Sequence, residues 1–274
     1  MRPVFNYIDR DSPVHALTGA AKLVCLLLWS FAAMLTFDTR MVACLAVLSF
    51  SLLRLSKIRL SDVSFLLKLT LVFMLFNNLV LFLFSPQYGV EIYGTKHVLF
   101  GSGRFALTQE QLFYHLNQML KCFALVPIVL LFVCTTQPSE FAASLNRIGV
   151  KYTIAYSVAL ALRYIPDIQR EYHEISQAQQ ARGIEMSKKQ RLGKRLKAAS
   201  AILIPLILSS MDRIEVISNA MELRGFGKHK KRSWYMTRPF RAADWLSMAF
   251  CALLLAAALI LNYLNGSRFW NPFL

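Results

Sequence analysis

The chain has 274 residues, a formal net charge of +16 and 56% hydrophobic residues, with only 17% charged; its mean hydropathy is +0.44. This composition excludes an ordinary soluble domain of the same length and points to an integral membrane protein. A basic excess in a soluble chain would suggest nucleic acid, but cytoplasmic loops of membrane proteins are themselves rich in Lys and Arg, so no nucleic-acid partner is expected.

The N-terminal segment carries Arg2, Asp9, Arg10 and Asp11, and Asp11-Ser12-Pro13-Val14-His15 through Lys22 leads into an apolar run from Leu23 to Phe37. Leu17 to Ala21 extend that run to roughly the 20 residues a bilayer-crossing helix needs. No small-residue cleavage site follows it, so the first span is expected to remain in the mature protein. Asp38-Thr39-Arg40 makes a polar turn before a second run, Met41 to Leu53, and Arg54, Lys57, Arg59 and Asp62 form a charged loop. The third run covers Leu66 to Phe84, with Lys68 near its start and Asn77-Asn78 inside it. Residues 85–111 hold four glycines and are too broken to span; the weak alternation in Tyr88–Tyr93 suggests a short strand or hairpin arm. The fourth run, Leu112 to Val133, contains Lys121, and Pro127 is expected to kink it. Trp245 to Leu264 is the last span, with Trp245 and Tyr263 suited to the two membrane interfaces.

The fold class is therefore an all-α integral membrane protein of about five transmembrane helices. It divides into an N-terminal bundle of four spans (1–134), a helical region (135–244), and a last span with a short tail (245–274). Nineteen of the 31 Lys and Arg residues lie in 135–244. That segment is too long to govern orientation, but the short segments agree with it. Arg2, Arg10, Lys22, Arg54, Lys57 and Arg59 fall on one side, and Arg40, Lys96, Arg104 and Arg268 on the other. The N-terminus and residues 135–244 are expected in the cytoplasm. Lys228 to Arg232 reads as a patch facing anionic membrane lipid.

Within 135–244, Gln137-Pro138-Ser139-Glu140 starts a helix that Gly149 closes. Tyr152 to Leu162 is apolar enough to lie on the membrane surface or against other helices. Pro166 is placed as the first residue of a helix running to Arg182. A solvated basic stretch, Lys188 to Lys197, links it to a helix from about Ala198 to Arg224, long enough to reach about 40 Å. The two helices end alike: Ala178-Gln-Gln-Ala181-Arg182-Gly183 and Ala220-Met-Glu-Leu223-Arg224-Gly225, an A-x-x-[AL]-R-G pattern repeated at an offset of 42 residues. Tyr172, Ile175 and Ala178 match Ile214, Ile217 and Ala220, each trio on one helix face. Glycine after arginine ends a helix by taking the left-handed conformation, and the arginine suits the negative end of the helix dipole. One such ending is ordinary helix termination. Two with a matched apolar face, in the long polar region of a membrane chain, suggest a shared purpose. Ala181 would let a partner approach closely and leave the guanidinium to pair across the contact.

Other chemistry is sparse. There is no G-x-x-x-x-G-K-[ST] phosphate loop. The five histidines (His15, His97, His115, His173, His229) are dispersed, and the five cysteines (Cys25, Cys44, Cys122, Cys134, Cys251) form no C-x-x-C pair, so no metal, cofactor or disulfide framework is expected. Lys68, Asn77, Asn78 and Lys121 are polar groups at membrane depth, either functional or, for the lysines, snorkelling or paired within the bundle.

On Asp11-Ser12-Pro13-Val14-His15 through Lys22, the two Arg-Gly motifs and the span pattern, nearly the whole chain resembles the transmembrane (T) component of energy-coupling factor transporters, importers of vitamins and metal ions. The resemblance implies a non-catalytic scaffold whose motifs, Ala181-Arg182-Gly183 and Leu223-Arg224-Gly225, dock into two ATP-binding cassette subunits while the rest holds a substrate-binding membrane subunit, the S component. Leu223 departs from the family's alanine, which bears on how closely that tip is approached. A conventional permease forming the substrate path would carry an E-A-A loop, which is absent. An integral membrane enzyme would want carboxylates near the interface, and the predicted spans hold no Asp or Glu.

Overall fold

The computed structural model describes residues 10–101, 103, 105–184, 192–229, 234 and 238–272. The chain forms two compact units, Met1–Gln137 with Arg238–Leu274, and Pro138–Thr237. The first unit contains α1 (Pro13–Ala16), α2 (Gly19–Leu35), α3 (Thr39–Leu55), α4 (Leu60–Phe84), α5 (Tyr88–Tyr93), the strands β1 (Val98–Phe100) and β2 (Leu107–Thr108), α6 (Gln109–Thr135) and α10 (Ala242–Leu264). The second contains α7 (Pro138–Arg147), α8 (Tyr152–Ala181) and α9 (Leu192–Leu223). The protein is thus an all-α membrane protein with one small antiparallel ribbon among the described residues.

Each of the five predicted apolar runs coincides with a helix, the first ending at Leu35 rather than Phe37. Val63–Phe84, Gln109–Thr135 and Ala242–Leu264 are long and apolar enough to cross a bilayer on their own; Gly19–Leu35 is a shorter apolar helix. α3, like α2, has 17 residues. The expectation of spans without acids needs correction, because the helices start earlier than the apolar runs. α6 takes in Glu110 and α10 takes in Asp244, both fully buried.

α6 is the axis of the first unit, packing against α2, α3, α4 and α5. Trp29, Ala32 and Ala33 of α2, Val42 and Leu45 of α3, Ala124 and Ile128 of α6 and Cys251 and Leu254 of α10 form one buried cluster. Pro127 sits inside α6, and lacking an N–H it leaves the Phe123 carbonyl without its helical donor. Ser49 Oγ of α3 donates to that carbonyl at 3.0 Å, and Trp29 Nε1 of α2 donates to the adjacent Ala124 carbonyl at 3.0 Å. In apolar surroundings an unmet carbonyl costs several kcal/mol, so Ser49 lets the proline stay, while Trp29 ties α2 to the next carbonyl along.

α2 runs antiparallel to α6, and a buried lysine serves each end of the pair. Lys22 Nζ donates to the Thr135 carbonyl at 2.9 Å, where α6 runs out of its own donors. Lys121 Nζ, 8% exposed, donates to Met34 O at the end of α2 at 3.3 Å and lies 3.0 Å from the centre of the Phe37 ring. Both ammonium groups meet the negative end of a helix dipole, so Lys121 is paired within the bundle, whereas Lys68 and Asn77 are exposed. Asp244 joins the first and last long helices: its carboxylate accepts from Thr18 N–H at 2.8 Å and from Arg241 N–H at 2.8 Å. The signature segment folds as α1, with Ser12 as N-cap and Pro13 in the first turn. Val14 packs with Leu53, Ile58 and Val63.

The segment Tyr88–Tyr93 is a helix, not the strand its alternation suggested. The ribbon lies downstream, pairing Val98 with Thr108 and Phe100 with Leu107. α5 is held by backbone contact that the alternation does not encode. Gly89 N–H donates to Gln111 Oε1 at 2.7 Å, and a Cβ at Gly89 would stand 2.6 Å from Glu110 O and 2.7 Å from Gln111 Cα. The Gln111 amide also meets His115 Nε2 at 3.1 Å, and His115 Nδ1 meets Asn78 Oδ1 at 2.8 Å, which accounts for Asn78 inside α4.

Two boundaries in the second unit differ from the sequence reading. α8 begins at Tyr152 and passes through Pro166, because Tyr152 and Tyr156 are anchored by Phe226 and Trp234. α9 begins at Leu192, so Lys194, Arg195 and Lys197 are helical and exposed rather than linker. The rest of that basic stretch, residues 188–191, lies outside the described residues, as do Arg2, Asp9 and residues 230–232 of the basic patch. Replacing Gly89 by Ala must push α5 off α6. Its expected effect is a thermal midpoint several degrees lower in detergent, measured by scanning fluorimetry; an unchanged midpoint would show that the close approach is not needed.

Candidate functional site

The candidate site consists of the two arginine-tipped helix ends. At the end of α8, Gly183 N–H donates to Gln180 O at 2.9 Å and Ile184 N–H to Gln179 O at 3.0 Å. At the end of α9, Gly225 N–H donates to Glu222 O at 2.8 Å and Phe226 N–H to Met221 O at 3.0 Å. Both are Schellman caps with the arginine at the C-cap position and a left-handed glycine after it, with φ of 83° at Gly183 and 65° at Gly225. The same cap closes α7, where Gly149 N–H meets Asn146 O and Val150 N–H meets Leu145 O. The cap alone is therefore generic. What α8 and α9 share beyond it is the arginine.

The tips are presented outward. Ala181, Arg182, Gly183 and Arg224 are exposed, Gly225 is half-buried, and Leu223 is 90% exposed. The matched apolar trios bury only in part: Ile175 and Ile217 are half-buried, while Tyr172, Ala178, Ile214 and Ala220 are exposed.

Side-chain contacts fix how the two helices lie together. Gln179 Nε2 donates to Ala201 O at 3.1 Å. Glu171 accepts from Ser209 Oγ and pairs with Arg213 Nη2 at 2.8 Å. Arg213 also lies 5.9 Å from the Tyr164 ring centre, and Phe226 is 5.3 and 5.0 Å from the rings of Tyr152 and Tyr156. Positions on α9 rise as positions on α8 fall, so the pair is an antiparallel hairpin. Arg182 and Arg224 accordingly stand at opposite ends of it, about 40 Å apart at ~1.5 Å per residue. A groove of about 420 Å³ opens between the helices on the Arg224 side, lined by Ser157, Ala161, Tyr164, Ser210, Ile217 and Met221 among others.

The model of the cobalt transport protein family (CbiQ) matches residues 10–235 of the chain. The chain belongs to this family. Among its curated relatives are proteins named energy-coupling factor transporter transmembrane protein EcfT. That of Exiguobacterium sibiricum is 32% identical over 199 residues, 68% of this chain and 73% of the relative. The protein of Bacillus selenitireducens is 27% identical over 95% of this chain and 97% of its own length. The Bacillus subtilis protein is 25% identical over 93% and 95%. Family membership and the apolar helices together make this a multi-pass membrane protein of a transport family.

Four positions important to the tips escaped the sequence reading. Phe226 follows the second Arg-Gly as the apolar residue a Schellman cap favours, a signal present in the sequence. Gln179 and the Glu171–Arg213 pair depend on the register between two helices, which no local pattern reports. Replacing Phe226 by Ala removes the aromatic contact that pins the Arg224 end. The expected loss of about 1.4 kcal/mol of local stability should speed amide exchange at Gly225 and Phe226 roughly tenfold and leave Gly183 unchanged, read by hydrogen–deuterium exchange mass spectrometry. Equal acceleration at both caps would mean that the two ends are not separately held.

Proposed function

We propose that the chain is the transmembrane coupling subunit of an energy-coupling factor importer for a vitamin or metal ion. In this reading Ala181-Arg182-Gly183 and Leu223-Arg224-Gly225 each dock into one of two ATP-binding cassette subunits, which hydrolyse ATP. The chain itself is non-catalytic and passes their movement to a separate substrate-binding membrane subunit, the S component. The observation that carries the reading is the pair of identically capped, outward-facing arginines at opposite ends of one helical hairpin. Two sites on a single surface would suit one partner. Two tips about 40 Å apart suit two, and a hairpin tied by Glu171–Arg213 moves both tips together.

Further features support the arrangement. A guanidinium fork at a helix end gives bidentate recognition of a carboxylate or backbone cleft. Leu203, Ile204, Ile207, Leu208 and Met211 on α9 are all exposed, a contiguous apolar surface of the kind that marks a protein or membrane contact and that suits a membrane partner. Residues 135–244 and the N-terminus lie in the cytoplasm in this reading, where the ATP-binding subunits are.

Two experiments test it. Replacing both Arg182 and Arg224 by Ala is expected to abolish co-purification of the ATP-binding subunits or to uncouple hydrolysis from uptake. Stranding one partner of a buried charged contact costs about 3–5 kcal/mol. The single variants should be milder and unequal, and Lys should rescue poorly. Normal assembly and uptake in the double variant, at normal membrane level, would return both motifs to plain helix caps. For sidedness, single cysteines in a cysteine-free background should be labelled by an impermeant reagent on intact cells at Lys96 and not at Lys194. The reverse pattern overturns the orientation.

A further inference from the structure

The two arginine tips are held by different means, and one of them depends on a proline in the neighbouring helix. Pro205 lies inside α9. Without an N–H it leaves the carbonyl four residues back, that of Ala201, with no helical donor. The amide that meets this carbonyl comes from α8: Gln179 Nε2 donates to Ala201 O at 3.1 Å. Gln179 is also the residue whose own carbonyl accepts Ile184 N–H in the cap beside Arg182. One residue therefore joins the cap of α8 to the break in α9. It lies three positions before Arg182, on the same face of the last turn. In the second motif the equivalent position is Met221, which lines the groove and has no amide to donate. There the tip is held instead from beyond the cap, by Phe226 against Tyr152 and Tyr156.

We propose that Gln179 is the positioning residue of the Arg182 tip, holding the last turn of α8 against the carbonyl that Pro205 leaves open on α9. The proposal rests on reading Arg182 as a docking residue. Its logic is conditional: Gln179 matters because of Pro205. Restoring an N–H at position 205 gives Ala201 O a donor within its own helix and makes the Gln179 amide redundant, whereas losing the amide with the proline in place strands the carbonyl.

The test uses the full-length chain in lipid nanodiscs with Gln179→Met, Pro205→Ala and the double variant, measuring amide exchange at both caps and capture of the ATP-binding subunits. Met keeps the length of the side chain and is the residue the second motif carries. Gln179→Met is expected to speed exchange at Gly183 and Ile184 about fivefold and to weaken capture at least as much, with exchange at Gly225 and the global melting midpoint unchanged. Pro205→Ala alone should stay within twofold of the parent, and the double variant should recover both readouts to within twofold. A purely structural role would instead lower the midpoint and move both caps. The proposal fails if Gln179→Met has no effect, if the double variant is as impaired as Gln179→Met, or if exchange responds while capture does not. Should Arg182→Ala itself capture the subunits normally, the docking reading fails, and the exchange data still decide whether the tether exists.

Discussion

A backbone carbonyl without an amide to meet it is the constraint around which this chain is built. Such a group is costly above all in apolar surroundings, where it has no water to turn to, and the prolines inside α6 and α9 each create one. α6 keeps Pro127 because Ser49 reaches across from α3 to the Phe123 carbonyl, and Trp29 of α2 bonds the neighbouring Ala124 carbonyl. α9 keeps Pro205 because Gln179 reaches across from α8. The ends of helices pose the same difficulty, and Lys22 and Lys121 answer it for α6 and α2 with charges that would otherwise be out of place. Each solution takes a side chain from another helix, so satisfying the backbone also fixes which helices are neighbours and in what register.

The consequence for the second unit is a hairpin whose length and direction are set by polar contacts rather than by a large core. Gln179–Ala201, Glu171–Arg213 and the aromatic group around Phe226 stand at successive levels along α8 and α9. Between them lie exposed apolar side chains, such as Ile204, Ile207 and Met211, that a self-contained domain would bury. An element of this kind is rigid along its length and unfinished across its face. Those properties suit a part that carries displacement between partners, and the family in which the chain falls is one of transport.

Much of this was legible from residue patterns. Apolar length located the five long helices of the first unit, and Arg-Gly at an offset of 42 residues located both tips, because helix length and glycine caps are local properties written in local sequence. The places where the pattern misled have a common cause. Tyr88–Tyr93 is helical because Gly89 lies against the α6 backbone, and α8 runs through Pro166 because Tyr152 is anchored by residues some seventy or more positions away. Glu110 and Asp244 fall outside the apolar runs, yet each is buried and takes a hydrogen bond from another segment, His97 for one and Thr18 for the other. Register between helices is what local sequence omits, and Gln179 is visible as more than a surface glutamine only once that register is known.

The central claim is that the two arginine tips meet two separate ATP-binding subunits. Photo-crosslinking amino acids placed at Ala181 and Leu223 of the same chain, irradiated in the assembled membrane complex, test it directly. The account predicts an adduct of one chain with two nucleotide-binding subunits, one joined at each position and separable by cleavage between them. Crosslinks from both positions to a single subunit, or to lipid alone, would contradict it.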